Sequence, residues 1–116
     1  MENNMIIYQK YMNFFYYTYD LVKKYPKHER FCLVQEIKNT LISGIRQIMQ
    51  ALNTTQKYER IKILKNVDLE LNLLKIYMRI SYKYKYITLQ NYNTASEQLT
   101  EIGKLVGGLL RACPQK

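Results

Sequence analysis

The sequence predicts an all-α protein, an antiparallel up-down-up-down four-helix bundle. Three observations lead there. Apolar residues recur at steps of three and four in four separate segments, as amphipathic helices require. No segment shows the two-residue alternation of a strand. The connections are only a few residues long, which favours antiparallel neighbours. The helices are expected at about residues 4–24, 27–53, 57–84 and 88–111, in one domain covering residues 1–116.

In the first segment Met5, Tyr8, Met12, Phe15, Tyr19 and Val22 form a stripe, which is assigned to the core. Phe14, Phe15, Tyr16 and Tyr17 are consecutive and point around more than one face, so Phe14, Tyr16 and Tyr17 are candidates for contact with a neighbour or a second subunit. Pro26 cannot continue a helix but fits the first turn of a new one, with Glu29 suiting the positive end of that helix. Phe31 then opens the second stripe, followed by Val34, Ile37, Leu41, Ile45, Ile48 and Leu52. Gly44 interrupts this helix at a cost of about 1 kcal/mol relative to Ala, which points to a close contact there.

Asn53-Thr54-Thr55-Gln56 is a polar connection rich in helix-capping residues. The third stripe is Ile61, Leu64, Val67, Leu71, Leu74 and Met78. Asp68 lies at its edge, where a buried carboxylate would need a partner, and Arg30 across the bundle is the expected one. Thr88 is the expected cap of the last helix, whose stripe is Tyr92, Ala95, Leu99, Ile102, Val106 and Leu109. Gly103, Gly107 and Gly108 are poor helix formers, and are expected to admit a close backbone neighbour.

The chain carries 18 Lys and Arg against 9 Asp and Glu, a net charge of +9, and this favours a polyanionic partner. A composition rich in Lys, Asn, Ile and Tyr accounts for part of the excess. Lys75, Arg79 and Lys83 are successive i,i+4 neighbours, and Arg60, Lys62 and Lys65 crowd the start of the same helix. At its end Tyr82, Tyr84 and Tyr86 interleave with Lys83 and Lys85, so that phosphates and bases could both be met. The same lysines also suit a helix C-terminus. The candidate nucleic-acid-binding residues are therefore Arg60, Lys62, Lys65, Lys75, Arg79, Lys83 and Lys85, and the structural candidates are Pro26, Arg30, Asp68, Gly103 and Gly107.

No catalytic constellation, metal site or cofactor site is expected. His28 is the sole histidine and Cys32 and Cys113 lack metal-ligand spacing, so both cysteines read as reduced thiols. Glu97 and Glu101 read as solvated surface charges, and the glycines near the end follow no strand and make no phosphate loop. No apolar run is long enough for a bilayer, and Met1-Glu2-Asn3-Asn4 is unlike a signal peptide; a cytoplasmic protein with no membrane partner is expected.

Three blocks in order carry a family resemblance: Tyr25-Pro26-Lys27-His28-Glu29-Arg30-Phe31, Val67-Asp68-Leu69-Glu70-Leu71, and Glu101-Ile102-Gly103-Lys104-Leu105-Val106-Gly107-Gly108. Together they resemble the accessory variability determinant (Avd) proteins of diversity-generating retroelements. The resemblance implies a four-helix bundle assembled as a homo-oligomer, a pentameric ring. It also implies a non-catalytic accessory protein that binds RNA or DNA and the reverse transcriptase, supporting mutagenic cDNA synthesis. A sister group, the bundle proteins of ribosomal-RNA intervening sequences, shares the Pro-Lys-x-Glu-Arg-Phe turn and the Glu-Ile-Gly-Lys ending. That group typically carries Ile-Pro-Ser-Asn-Ile-Ala-Glu-Gly in the second helix, which Leu41-Ile42-Ser43-Gly44-Ile45-Arg46-Gln47-Ile48 does not match. A third reading is a purely structural oligomeric protein.

Overall fold

A computed structural model describes residues 2–113 of the chain. Its helices are α1 (Glu2–Leu21), α2 (Leu33–Asn53), α3 (Lys57–Lys83) and α4 (Leu89–Arg111), with single 3-10 turns at Val22–Lys24 and Lys27–Glu29. Each helix packs against the one before and after it, and α1 closes the ring on α4. The four-helix bundle is as predicted. It is elongated along the helices, measuring 47 × 25 × 20 Å.

The stripes of α3 and α4 meet expectation, with Ile61, Leu64, Val67, Leu71, Leu74 and Met78 facing Ala95, Leu99, Ile102 and Val106 in a common core. Fully burying an aliphatic side chain of this size stabilises by about 1.5–3 kcal/mol, so these faces dominate the fold. Other expectations fail. In α1 the buried residues are Ile7, Tyr11, Phe14, Thr18 and Leu21, one residue out of phase with the expected stripe, and Met5 is 66% exposed. α1 carries apolar residues on more than one side, and a polar contact helps to set the phase. Tyr8 and Tyr16 keep an exposed edge, whereas the buried Tyr11 hydroxyl donates to the Leu41 carbonyl oxygen at 2.8 Å. Burial pushes the Tyr11 phenol far above its ordinary value, and the charge of Glu70 adds to this. Phe14, expected to point outward, belongs to the core.

The hinge also departs from expectation. Pro26 is extended (φ −57°, ψ 148°) and leads into the short 3-10 turn, and α2 begins only at Leu33. The reversal consumes the residues that were expected to form its first turn, which leaves Phe31 79% exposed. Tyr25 is buried beside Pro26 and its hydroxyl donates to Ser81 Oγ at 2.7 Å, fastening the hinge to α3.

Gly44 does permit a close approach, by a side chain. A Cβ there would stand 2.8 Å from Tyr11 Cζ and overlap the hydroxyl. Gly103 and Gly107 do not: a Cβ at Gly103 meets nothing within 4 Å, and one at Gly107 meets only the Arg111 guanidinium at 3.4 Å. The expected Asp68–Arg30 pair is also absent, because both side chains lie in solvent and neither forms an ion pair among the described residues. The carboxylate held between helices is Glu70, on the opposite flank of the Val67/Leu71 stripe. It accepts from Ser43 Oγ at 2.8 Å and Gln47 Nε2 at 2.7 Å, which joins α2 to α3.

Gly44→Ala should destabilise the bundle by about 1–3 kcal/mol through overpacking. In a Tyr11→Phe background the penalty should shrink, since the overlapping hydroxyl is gone. Urea unfolding of the four members of this cycle measures the coupling, and additive effects would contradict the contact.

Candidate nucleic-acid interface

α3 carries seven of the chain's Lys and Arg against three Asp and Glu. Its core stripe sets where the cations point. Lys62, Lys65, Leu69, Asn72, Ile76, Arg79 and Lys83 step by three and four along the opposite side, and all are exposed. The outward face is thus basic at both ends and apolar at its centre. At 1.5 Å per residue, Lys65 and Arg79 are separated by about 21 Å along the axis.

Not every sequence candidate lies on this stripe. Lys75 is half-buried on the flank, so the expected Lys75–Arg79–Lys83 ridge is better described as Arg79 and Lys83 with Lys75 beside them. Arg60 is half-buried with its Nε enclosed and unpartnered among the described residues. Lys85 is exposed just beyond the helix. Among the described residues, the ion pairs are Lys10–Glu101, Lys23–Asp20 and, when His28 is protonated, His28–Glu29, so no cation of α3 forms an ion pair with a neighbouring acid.

The end of α3 is closed by a six-residue bonding pattern. Tyr86 N–H donates to the Ser81 carbonyl at 2.8 Å and Lys85 N–H to the Tyr82 carbonyl at 3.0 Å, with Lys85 in the left-handed region at φ 64°. Glycine is the usual occupant of that position, because a Cβ is strained there. Thr88 then starts α4 as expected: its Oγ1 accepts from Asn91 N–H at 3.0 Å, and Asn91 Oδ1 accepts from Thr88 N–H at 3.2 Å. The Asn91 amide also donates to the Tyr17 hydroxyl at 3.0 Å, so Tyr17 ties α1 to α4.

The turn's aromatic rings pair. Tyr82 stacks on Tyr92 (centroids 5.3 Å apart, planes at 26°), and Tyr84 stacks on Tyr86 (6.2 Å, 29°). Tyr86 is anchored inward: its hydroxyl donates to Glu29 Oε2 at 2.8 Å, and its ring lies 5.3 Å from that of Tyr25. Because the Tyr86 hydroxyl donates its hydrogen bond to Glu29, His28 Nε2, 3.3 Å from the Tyr86 oxygen, is the donor in that contact. Glu29 Oε1 accepts from Leu33 N–H at 3.3 Å, capping α2 from upstream.

A second concentration of charge escaped the sequence reading. The hinge cleft is walled by Val22, Tyr25 and Val34 and edged by Lys23, Lys27, Arg30 and Lys38. Lys23 pairs with Asp20 at 3.2 Å, and Lys38 lies over the Tyr19 ring at 4.9 Å. The four cations come from three segments, the hinge holding two of them, so no spacing rule gathers them in advance.

These features define a small helical protein with a basic, aromatic-ended surface and a four-helix-bundle frame. The chain belongs to the bAvd-like family, whose pattern it matches over residues 5–113. A comparison with curated proteins gives no match. Among solved structures, it is similar to a protein of unknown function from the S23 ribosomal protein family of Bacteroides thetaiotaomicron VPI-5482. The TM-score is 0.83 at 18% identity, covering 94% of this chain and 98% of the other, and it shows a shared fold. No helix among the described residues is long and apolar enough to cross a membrane.

The Tyr86 hydrogen bond is the main cause holding the Glu29 carboxyl below its ordinary value; partial desolvation opposes it, and Leu33 N–H and His28 assist. A depressed folded-state value means that this stabilisation is present above the unfolded carboxyl's pKa and is lost as pH falls through the folded one. The Tyr86 phenol is pushed up from 10.0, chiefly by the same bond, so its contribution holds below that value and is lost as pH rises through the raised one. Tyr86→Phe should return Glu29 toward the usual carboxylate range in an NMR titration and flatten the loss of stability in acid. An unchanged Glu29 titration would contradict the assignment.

Proposed function

We propose that the chain is a non-catalytic accessory subunit of a diversity-generating retroelement, binding nucleic acid and the reverse transcriptase during mutagenic cDNA synthesis. The observation that carries this reading is the outward face of α3. Its Lys62, Lys65, Arg79 and Lys83 have no acidic partner among the described residues, in a chain of the bAvd-like family. Phosphates replace the missing counter-charges, and the polymerase chemistry and its metal ions belong to the partner enzyme. A homo-oligomer, pentameric by family resemblance, is part of the reading. So is a cytoplasmic setting, which the free thiols Cys32 and Cys113 suit.

A second reading, in which the chain is a structural oligomer without nucleic acid, shares one observation with the first. The out-of-phase stripe of α1 leaves Met5, Tyr8 and Tyr16 exposed, and α2 adds Ile42 and Met49. A subunit contact explains these residues under either reading, so they do not separate the two.

Charge reversal at Arg79 and Lys83 does separate them. The double variant Arg79→Glu, Lys83→Glu should keep its helix content and subunit number, bind RNA and DNA more weakly, and lower the slope of log affinity against log salt by about two. Wild-type protein that binds neither nucleic acid at any salt concentration would leave the structural reading standing. Co-expression with a retroelement reverse transcriptase, followed by co-purification, tests the other partner.

A further inference from the structure

We propose that the α3–α4 turn is a stacking platform for the unpaired bases of single-stranded nucleic acid, with Tyr82 and Tyr84 as the receiving rings and Lys83 and Lys85 meeting the phosphates. The proposal rests on the nucleic-acid reading above and narrows it from any polyanion to strands whose bases are free.

Two stacked pairs stand at this turn, each with an inner, half-buried ring and an outer, exposed one. Tyr92 supports Tyr82, which is 41% exposed, and Tyr86 supports Tyr84, which is 63% exposed. The inner rings are fixed in place: Tyr86 is held by Glu29 and Tyr25, and Tyr92 sits against the core. An outer ring on a fixed support costs little further ordering when a base extends the stack. Stacking accepts every base because each has a π-face, whereas bases inside a duplex present only their edges.

The backbone supplies an independent argument. Lys85 adopts φ 64°, where glycine would be the unstrained residue. The left-handed residue reverses the chain so that the rings on either side of it, Tyr84 and Tyr86, stack at 6.2 Å. A lysine held in this strained position, between Tyr84 and Tyr86 in the chain, puts an exposed cation in the turn that carries the rings, and Lys83 adds another on the preceding turn. Duplex binding along the α3 face needs cations only; this arrangement of rings and cations suits a flexible strand.

Fluorescence anisotropy on the full chain tests the platform, using a labelled single strand of RNA, the same strand in DNA, each annealed to its complement, and an abasic strand of equal charge. The wild type should bind either single strand more tightly than its duplex or the abasic strand. Tyr84→Ala should weaken single-strand binding by about tenfold and leave duplex and abasic binding unchanged, while Tyr84→Phe retains it. Lys85→Gly should raise the thermal midpoint yet weaken single-strand binding, a divergence that a merely structural turn would not give. Tyr84→Ala binding single strands as the wild type does, or losing duplex and single strand equally, would overturn the platform and leave the basic face intact. Wild-type protein that binds none of the probes would overturn the nucleic-acid reading itself.

Discussion

The Glu29 carboxylate accepts from the Leu33 N–H that begins α2 and, through its other oxygen, from the Tyr86 hydroxyl. The reversal between α1 and α2 is thereby fastened to the reversal between α3 and α4, at one end of the bundle. Tyr25 makes the same connection through Ser81 and through its ring contact with Tyr86. Much else is positioned by this clamp. It fixes where α2 starts, orients the inner ring behind Tyr84, and brings the hinge cations to the same end as Lys83 and Lys85. Charge-assisted hydrogen bonds are roughly twice as strong as neutral ones, so a single acid can hold two turns.

The four helices were legible because α2, α3 and α4 each have one clear apolar side. α1 does not, and its periodicity supports two phases a single residue apart. Ile7, Phe14 and Leu21 win in part because the accompanying Tyr11 hydroxyl finds the Leu41 carbonyl beside Gly44, a partner contributed by another helix. Nothing local in α1 encodes that. The start of α2 was misplaced for a related reason. Proline marks where a helix cannot run, but the length of the bend that follows depends on how Tyr25 and Glu29 dock against residues more than fifty positions away.

For the candidate site, the basic character of α3 and the alternation of Tyr and Lys at its end could be read directly. Which cations stand clear of the neighbouring helices depends on how α2 and α4 pack beside the α3 stripe, and that moved Lys75 and Arg60 off the outward face. Edge positions were the weakest ground. Asp68 and Glu70 flank the same stripe, and only the location of α2 decides that Glu70 meets Ser43 and Gln47 while Asp68 faces water. The helix-four glycines show the same limit, since small size permits a neighbour without supplying one.

The charge imbalance also ties folding to occupancy. Two of the ion pairs among the described residues involve a Lys, and in both the side chains are substantially exposed, where such pairs contribute little. A net charge of +9 on a chain of this size leaves the folded state repelling itself. A polyanion that prefers the folded chain therefore acts on the folding equilibrium as a ligand does, adding about 2.7 kcal/mol at a hundred times its Kd. Under the proposed function, free and bound stability are different quantities. A melting curve taken in dilute buffer measures the chain with its self-repulsion least screened.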